Sequence, residues 1–256
     1  MDNFFNLTLP ELENILATEE VPKVHARNIF ASVYRDDQKK TSLLPQKIKK
    51  LLPTISESVE LKIKSINISN YDQSIKFVLQ TKENLLFETV LMPEKGRLTI
   101  CLSSQIGCAQ GCIFCYTGKM GLIRNLTVNE IIEQIVIAQQ WIRNTPSWSQ
   151  QVEKTMLTPF KSSVTNVVFM GMGEPLDNAN NVIKAVHIMT DTHGLGIAPR
   201  KVTISTAGHI PELNMLKQAN LKTGLAISLH AHNDSSRNKI MPINKKWNLK
   251  ILIGLA

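Results

Sequence analysis

Outside fifteen consecutive positions this 256-residue sequence has no cysteine: Cys101, Cys108, Cys112 and Cys115 are the whole supply. A framework of disulfides spread along the chain is therefore excluded. No apolar run approaches the roughly 18 residues that a membrane-spanning helix needs. The start, MDNFFNLTLPELENILA, has acids where a signal peptide has a basic region. The expectation is a cytoplasmic protein with no membrane association, its thiols reduced and available as ligands or nucleophiles. The glycosylation-like triplets at Asn6, Asn67 and Asn125 are then chance matches. Acids are scarce in one place. Residues 200 to 256 hold nine basic and two acidic side chains, so seven of the eight net positive charges lie there. That asymmetry suits a polyanionic partner such as RNA or DNA, and equally a solvated lysine-rich surface. With 43% hydrophobic and 20% charged residues the composition excludes a disordered chain, and the length suits one medium domain with a small appendage.

Three zones follow from the patterning. Residues 1–55 read as a small helical N-terminal unit, in which Thr8 caps LTLPELENILA with Pro10 and Glu11 in the first turn, and Pro53 bounds the unit. From about Glu60 the period changes to two. LKIKSINIS, SIKFVLQT and LLFETVLM alternate apolar and polar, with the turn signals YDQ and KEN between them, and make 56–97 a β-rich connecting segment. From 98 to 256 strands and helices alternate: RLTICLSS, a helix capped by Thr127 and Glu130, a polar interruption at 144–163, the strand of VTNVVFMGMGEP, a helix ending near Gly194, then RKVTISTAG, PELNMLKQAN and TGLAISLHA. This alternation predicts an α/β fold of parallel βα units with functional residues at the strands' C-terminal ends. Four such units can be counted, too few to close a barrel.

Cys108, Cys112 and Cys115 stand as C-x3-C-x2-C on a loop after a strand. Thiolates so spaced can converge on one inorganic core, and iron–sulfur clusters are held by such sulfurs. The alternative is structural zinc, which takes four closed ligands. The fourth would have to be Cys101, since the nearest histidines in sequence are His25 and His187. Paired C-x2-C knuckles are missing.

The wider stretch CLSSQIGCAQGCIFCYTGKMGLIRNLTVNEI resembles the cluster-binding segment of radical S-adenosylmethionine (SAM) enzymes. FETVLMPE before it, and VVFMGMGEPLDN, RKVTISTAG, LAISLHAHND and MPINKKWN after it, are similar in kind and order to the RlmN/Cfr family of RNA adenine methyltransferases, specifically the RlmN type. The resemblance is close from Glu88 to Asn248 and loose over the N-terminal helices. It implies a partial (β/α) radical-SAM barrel in which Cys108, Cys112 and Cys115 hold a [4Fe-4S] cluster whose open iron chelates S-adenosylmethionine. It implies that Gly173, Glu174, Ser205, Ser228, Leu229 and His230 contact that cofactor, that Glu88 accepts a proton, and that Cys101 forms a transient disulfide with a methyl-carrying cysteine. The implied reaction is methylation of carbon 2 of adenine in 23S ribosomal RNA and in transfer RNA by a monomer fed by an electron donor such as a flavodoxin system. Methylation at carbon 8 by the same family stays an alternative.

The resemblance also asks for a methyl-carrying cysteine near the family's C-terminus, and none follows Cys115. The sequence therefore reads as a truncated member that lacks methyl transfer on its own, the competing expectation being a non-catalytic remnant that binds RNA. His232 stands where the family commonly has proline.

Overall fold

The computed structural model describes residues 3–18, 20–35, 38–50, 59–156 and 162–255. The N-terminal unit opens with a 3-10 turn at Phe4–Asn6, followed by α1 (Leu9–Thr18), α2 (Val24–Arg35), α3 (Gln38–Ser42) and α4 (Gln46–Lys49). Thr8 caps α1 as expected: its hydroxyl accepts from the Glu11 amide at 3.4 Å, and the Glu11 carboxylate accepts from the Thr8 amide at 2.8 Å. Phe4, Phe5, Phe30 and Tyr34 form a buried aromatic cluster with ring centroids 5.3 to 5.9 Å apart. Pro53, and with it the boundary at residue 55, lies outside the described residues.

The three period-two segments become β1 (Lys62–Ile68), β2 (Ile75–Gln80) and β3 (Leu86–Glu94), and RLTICLSS supplies β4 (Arg97–Cys101), each antiparallel to the next. β4 then pairs in parallel with β7 (Asn166–Phe169), β7 with β8 (Val202–Thr206), and β8 with β9 (Gly224–Ile227). All seven make one sheet, so the connecting segment and the four parallel strands are continuous. The remaining strands, β5 (Gln105–Gly107) and β6 (Leu122–Asn125), form a separate two-stranded ribbon around the cysteine loop and α5 (Tyr116–Met120).

Alternation assigns the sheet's faces. Phe77, Leu79, Phe87, Leu91, Leu98, Ile100, Val167, Phe169, Val202 and Ile204 are buried, together with Ile131, Ile135 and Ala138 of α6 (Val128–Asn144) and Val182, Ala185 and Val186 of α8 (Ala179–Thr190). The intervening positions of β3, β4, β7 and β8 are half-exposed and belong to the opposite, open face. The capping box of Thr127 and Glu130 opens α6. The N-terminal unit is fastened to these helices: Asn6 accepts from the Asn129 amide at 2.8 Å, and Lys184 pairs with Glu11 at 2.7 Å.

Two details differ from the sequence reading. The polar stretch after residue 144 contains α7 (Pro146–Met156), which buries only Trp148 and Val152; the Trp148 indole donates to the Gln73 carbonyl at 3.1 Å. The helix expected to end near Gly194 stops at Thr190, because the Asp191 carboxylate and carbonyl accept from the His193 and Gly194 amides and turn the chain. The chain continues through α9 (Ile210–Ala219), α10 (Asp234–Ile240) and α11 (Leu249–Leu255).

Candidate active site

After β4 the backbone stays tied to the segment beyond β7. Leu102 donates to Val168 at 2.8 Å, Gly171 to Leu102 at 3.0 Å and Ser104 to Met172 at 2.9 Å. This brings the 171–174 turn against β5, so closely that a Cβ on Gly173 (φ +100°) would lie 2.5 Å from the Gln105 Cβ. Only glycine fits there. Gln105 locks the approach, accepting from the Glu174 amide at 2.8 Å and donating to Asn125 of β6 at 2.7 Å.

The cysteine loop springs from this ribbon. The Cys108 amide donates to Gly121 at 3.0 Å, the Cys115 amide to Cys112 at 3.1 Å and the Ile113 amide to Ile240 of α10 at 3.0 Å. Cys108 and Cys112 are buried and Cys115 half-buried, all as free thiols. Burial pushes Cys108 up to about 11 and raises Cys112, with the charge of Glu174 adding to both. For Cys112 the Arg237 charge opposes this but is outweighed by burial, whereas a coordinated metal deprotonates a thiol outright. Among the described residues no three His, Cys, Asp or Glu side chains gather closely enough to hold a single ion; one tetrahedral zinc with bonds of about 2.3 Å needs sulfurs only about 3.8 Å apart. Three free thiols on one loop, two buried and one half-buried, are the kind of donor set that an iron–sulfur cluster takes. Cys101 lies at the end of β4, off this loop.

Glu174 is buried at the rim. Its carboxylate accepts from the Leu176 amide at 3.1 Å and the Ala207 amide at 2.8 Å, yet burial still raises it to about 7. Ser205 occupies a half-exposed position of β8, on the same open face as Cys101: Cys101 is in register with Val168, Val168 with Thr203, and Ser205 lies two residues on. Ser228 follows β9 and donates its amide to Thr206 at 2.9 Å, and Leu229 is exposed beside it. The His230 ring lies 4.4 Å from that of Phe114, inside the cysteine motif. The cysteine loop and the ends of β7, β8 and β9 thus meet at one rim.

Glu88 and Cys101 share the open face but not the rim's contacts. Glu88 is 43% exposed and pairs with Lys76 at 2.9 Å. Cys101 is half-buried, which raises its thiol against a smaller opposing effect from the Met170 backbone. Sequence reasoning missed Gln105, Asn178 and Arg237, all buried polar groups that knit the rim together; Asn178 donates to Ser104 and Leu126 at 2.8 Å each. For Gln105 and Asn178 the signal was a polar residue inside an otherwise apolar or turn motif. For Arg237 there was none.

Comparison with known proteins agrees with this geometry. The sequence model of the Radical SAM superfamily matches residues 102–253. A crystal structure of a radical SAM methyltransferase from Sphaerobacter thermophilus superposes with a TM-score of 0.83 at 35% identity, over 98% of this chain and 70% of that one. The fold is that of a radical SAM enzyme, the class that works with a [4Fe-4S] cluster and S-adenosylmethionine. Among curated relatives, the dual-specificity RNA methyltransferase RlmN of Nitratiruptor sp. is 39% identical over 99% of this chain and 70% of its own length. That of Buchnera aphidicola subsp. Acyrthosiphon pisum is 46% identical over 78% of this chain and 50% of its own. The chain belongs to the RlmN family of radical SAM RNA methyltransferases. Among the described residues no helix is long and apolar enough to cross a membrane.

Proposed function

We propose that this chain carries the radical-generating centre of a methyltransferase acting on carbon 2 of adenine in 23S ribosomal RNA and in transfer RNA. The observation that supports this most is the meeting of the cysteine loop with the glycine turn after β7 and the ends of β8 and β9 at one rim. The names of the relatives, dual-specificity RNA methyltransferases, supply the substrate class.

Cys108, Cys112 and Cys115 would hold the cluster, and Gly173, Glu174, Ser205, Ser228, Leu229 and His230 would line the S-adenosylmethionine beside it. Bound together, cluster and cofactor supply one-electron cleavage chemistry, suited to an aromatic C–H too poor in nucleophilicity for polar methyl transfer. The chain's own residues then bind and orient. A buried Glu174 raised to about 7 gains from an adjacent ammonium, which favours its ionised form. Gly173 keeps the backbone free of a side chain where it approaches the ribbon. Glu88, half-exposed on the open face, takes up the proton leaving carbon 2. Cys101, on the same face, would form the product-releasing disulfide with a methyl-carrying cysteine that is not among these four thiols, the sulfur–sulfur bond replacing that cysteine's bond to the product carbon, which takes up a proton; sulfur's reversible bonds suit that role.

The basic last quarter, with Lys239, Lys245, Lys246 and Lys250, supplies phosphate contacts to the RNA. Residues 1–55 act as an accessory RNA-facing unit, 56–97 as a connecting segment and 98–256 as the barrel part. The chain works as a cytoplasmic monomer fed by a flavodoxin-type donor.

The test is anaerobic reconstitution with iron and sulfide, then incubation with S-adenosylmethionine, reductant and an unmodified ribosomal RNA fragment, with mass spectrometry of the products. All four cysteines have roles other than carrying a methyl group, so these 256 residues are expected to yield 5′-deoxyadenosine without a methylated base. Cluster uptake without cleavage would overturn the reading. Formation of 2-methyladenine would show that one of the four thiols carries the methyl group, and 8-methyladenine would move the chemistry to the other carbon.

A further inference from the structure

Arg237 of α10 is fully buried, the largest such side chain among the described residues. Its sequence neighbours, Ser236, Asn238 and Lys239, give no reason for that. Four acceptors surround the guanidinium: Nε donates to the Leu229 carbonyl at 3.1 Å, Nη2 to Ala207 at 2.7 Å and Ser228 at 3.0 Å, and Nη1 to the Asn244 side-chain oxygen at 2.6 Å. Every one is neutral. Asp234, an acid whose field reaches it, makes no direct pair with it: Asn244 stands between them, donating to the Asp234 carboxylate at 2.9 Å, and the Leu249 amide donates to the same carboxylate at 2.9 Å. A buried charge without a directly paired acid is costly.

The position of this charge is informative. Ala207, one of its acceptors, packs with Cys112 and Met241 in a small buried cluster, and the cysteine loop is tied to α10 through Ile113 and Ile240. Two other acceptors begin an unusual turn. The Ala231 amide donates to the Leu229 carbonyl at 2.8 Å across His230, whose φ is +55°. A three-residue turn with a left-handed histidine at its centre is strained, and such strain persists only where the surroundings fix it. Arg237 holds both carbonyls that precede His230, and that ring lies 4.4 Å from Phe114, between Cys112 and Cys115.

We infer that Arg237 is a positioning residue: it clamps the strained turn that sets His230 against the cysteine loop, and it places a positive charge that no acid pairs directly beside that loop to meet the anionic cluster held there. The inference rests on the reading of Cys108, Cys112 and Cys115 as cluster ligands. A cubane bound by three thiolates is net negative and becomes more so on reduction, so a fixed cation beside it favours the reduced form.

Two variants of the cluster-loaded chain separate the two roles, read by an EPR-monitored redox titration and by equilibrium binding of S-adenosylmethionine. Arg237→Gln removes the charge, and its cluster is expected to be harder to reduce by roughly tenfold in equilibrium constant, about 59 mV for a one-electron couple. Arg237→Lys keeps a charge, but a single ammonium cannot span four acceptors. Its potential is expected to stay near wild type while cofactor affinity drops about tenfold. A potential unmoved in Arg237→Gln overturns the electrostatic role, and wild-type affinity in Arg237→Lys overturns the clamp. Should Arg237→Gln fail to fold, Arg237→Lys still decides: a potential near wild type with weakened cofactor binding supports the inference, and unchanged binding overturns it. A wild-type chain that takes up no cluster defeats the reading of the site and this inference with it, whereas a loaded wild type with indifferent variants defeats the inference alone.

Discussion

In the antiparallel half of the sheet, β1 to β3 run six to nine residues; in the parallel half, β7 to β9 run four or five. The first half buries Ile75, Phe77, Leu79, Phe87 and Leu91, with Thr89 as its only buried polar strand residue. In the second, the strand ends and the loops beyond them bury Glu174, Asn178, Thr206, Arg237 and Asn244. Apolar burial stabilises without demanding direction, whereas buried polar groups stabilise only when every partner is in place. One half of the sheet is therefore organised for stability, and the other trades stability for the exact aim of a few groups.

Breaking each half in its own currency should give different phenotypes. Cys112→Ala is expected to abolish cluster assembly while Cys101→Ala leaves it intact, as read from iron and sulfide content and visible absorbance. Equal loss in both would revive a four-cysteine metal site. In the antiparallel half the comparable blow is Phe77→Ala. Phe77 is fully buried and meets Trp141 edge to face at 5.7 Å, so the variant is expected to lose about 3–5 kcal/mol in denaturant unfolding. Cofactor contacts at the far rim are expected to survive in the folded fraction.

Two glycines sharpen the contrast. Gly96, in the β3–β4 hairpin, has φ +73° and open space where a Cβ would go, while Gly173 has φ +100° and Gln105 in the way. Gly96→Ala is expected to cost about 1 kcal/mol through backbone conformation alone. Gly173→Ala adds displacement of β5, and about 3 kcal/mol is expected. Similar losses in a pair of thermal melts would mean that the rim is no tighter than the hairpin.

A third comparison is electrostatic. Glu133 of α6 is fully buried, and burial raises its pKa although the Glu60 and Leu61 amides donate to it at 2.8 and 2.9 Å. Between the ordinary value of 4.5 and the raised one the folded state holds a proton that the unfolded state has released. The contribution of Glu133 therefore falls as pH rises through that window. The destabilisation caused by Glu133→Gln should accordingly be largest at low pH and shrink toward neutrality, as measured by unfolding across a pH series. A penalty that grew with pH would reverse the sign and show that hydrogen bonds outweigh burial.

The antiparallel half was legible because alternation, turn residues and caps are local signals. KEN between two alternating runs became the β2–β3 turn, and Thr127 with Glu130 became the cap of α6. The cysteine motif was legible for the same reason, since one inorganic core needs its ligands close in sequence. What failed was non-local. α7 shows only Trp148 and Val152 to the core, too few apolar positions to declare a helix. Arg237 looks like any polar residue of a short exposed helix, and its burial depends on carbonyls beyond the ends of β8 and β9. Which residues form the rim's buried polar network follows from tertiary approach, and no short pattern encodes that.

The smallest expected effect is the most diagnostic for Glu88. Its pair with Lys76 spans 2.9 Å, and both side chains are more than 40% exposed. A pair so open to solvent contributes about 0.2–1 kcal/mol. Lys76→Met should thus change stability by less than about 1 kcal/mol. Glu88→Gln should change it as little, because only the same exposed contact is lost. If Glu88 is the proton acceptor, the two substitutions must part in a chimera in which the C-terminal part of a relative supplies the methyl-carrying cysteine and methylation runs: Glu88→Gln loses turnover, whereas Lys76→Met retains it, because only Glu88 takes the proton from carbon 2. Equal retention in both would return Glu88 to the antiparallel half, as an ordinary surface charge on a strand whose work is structural.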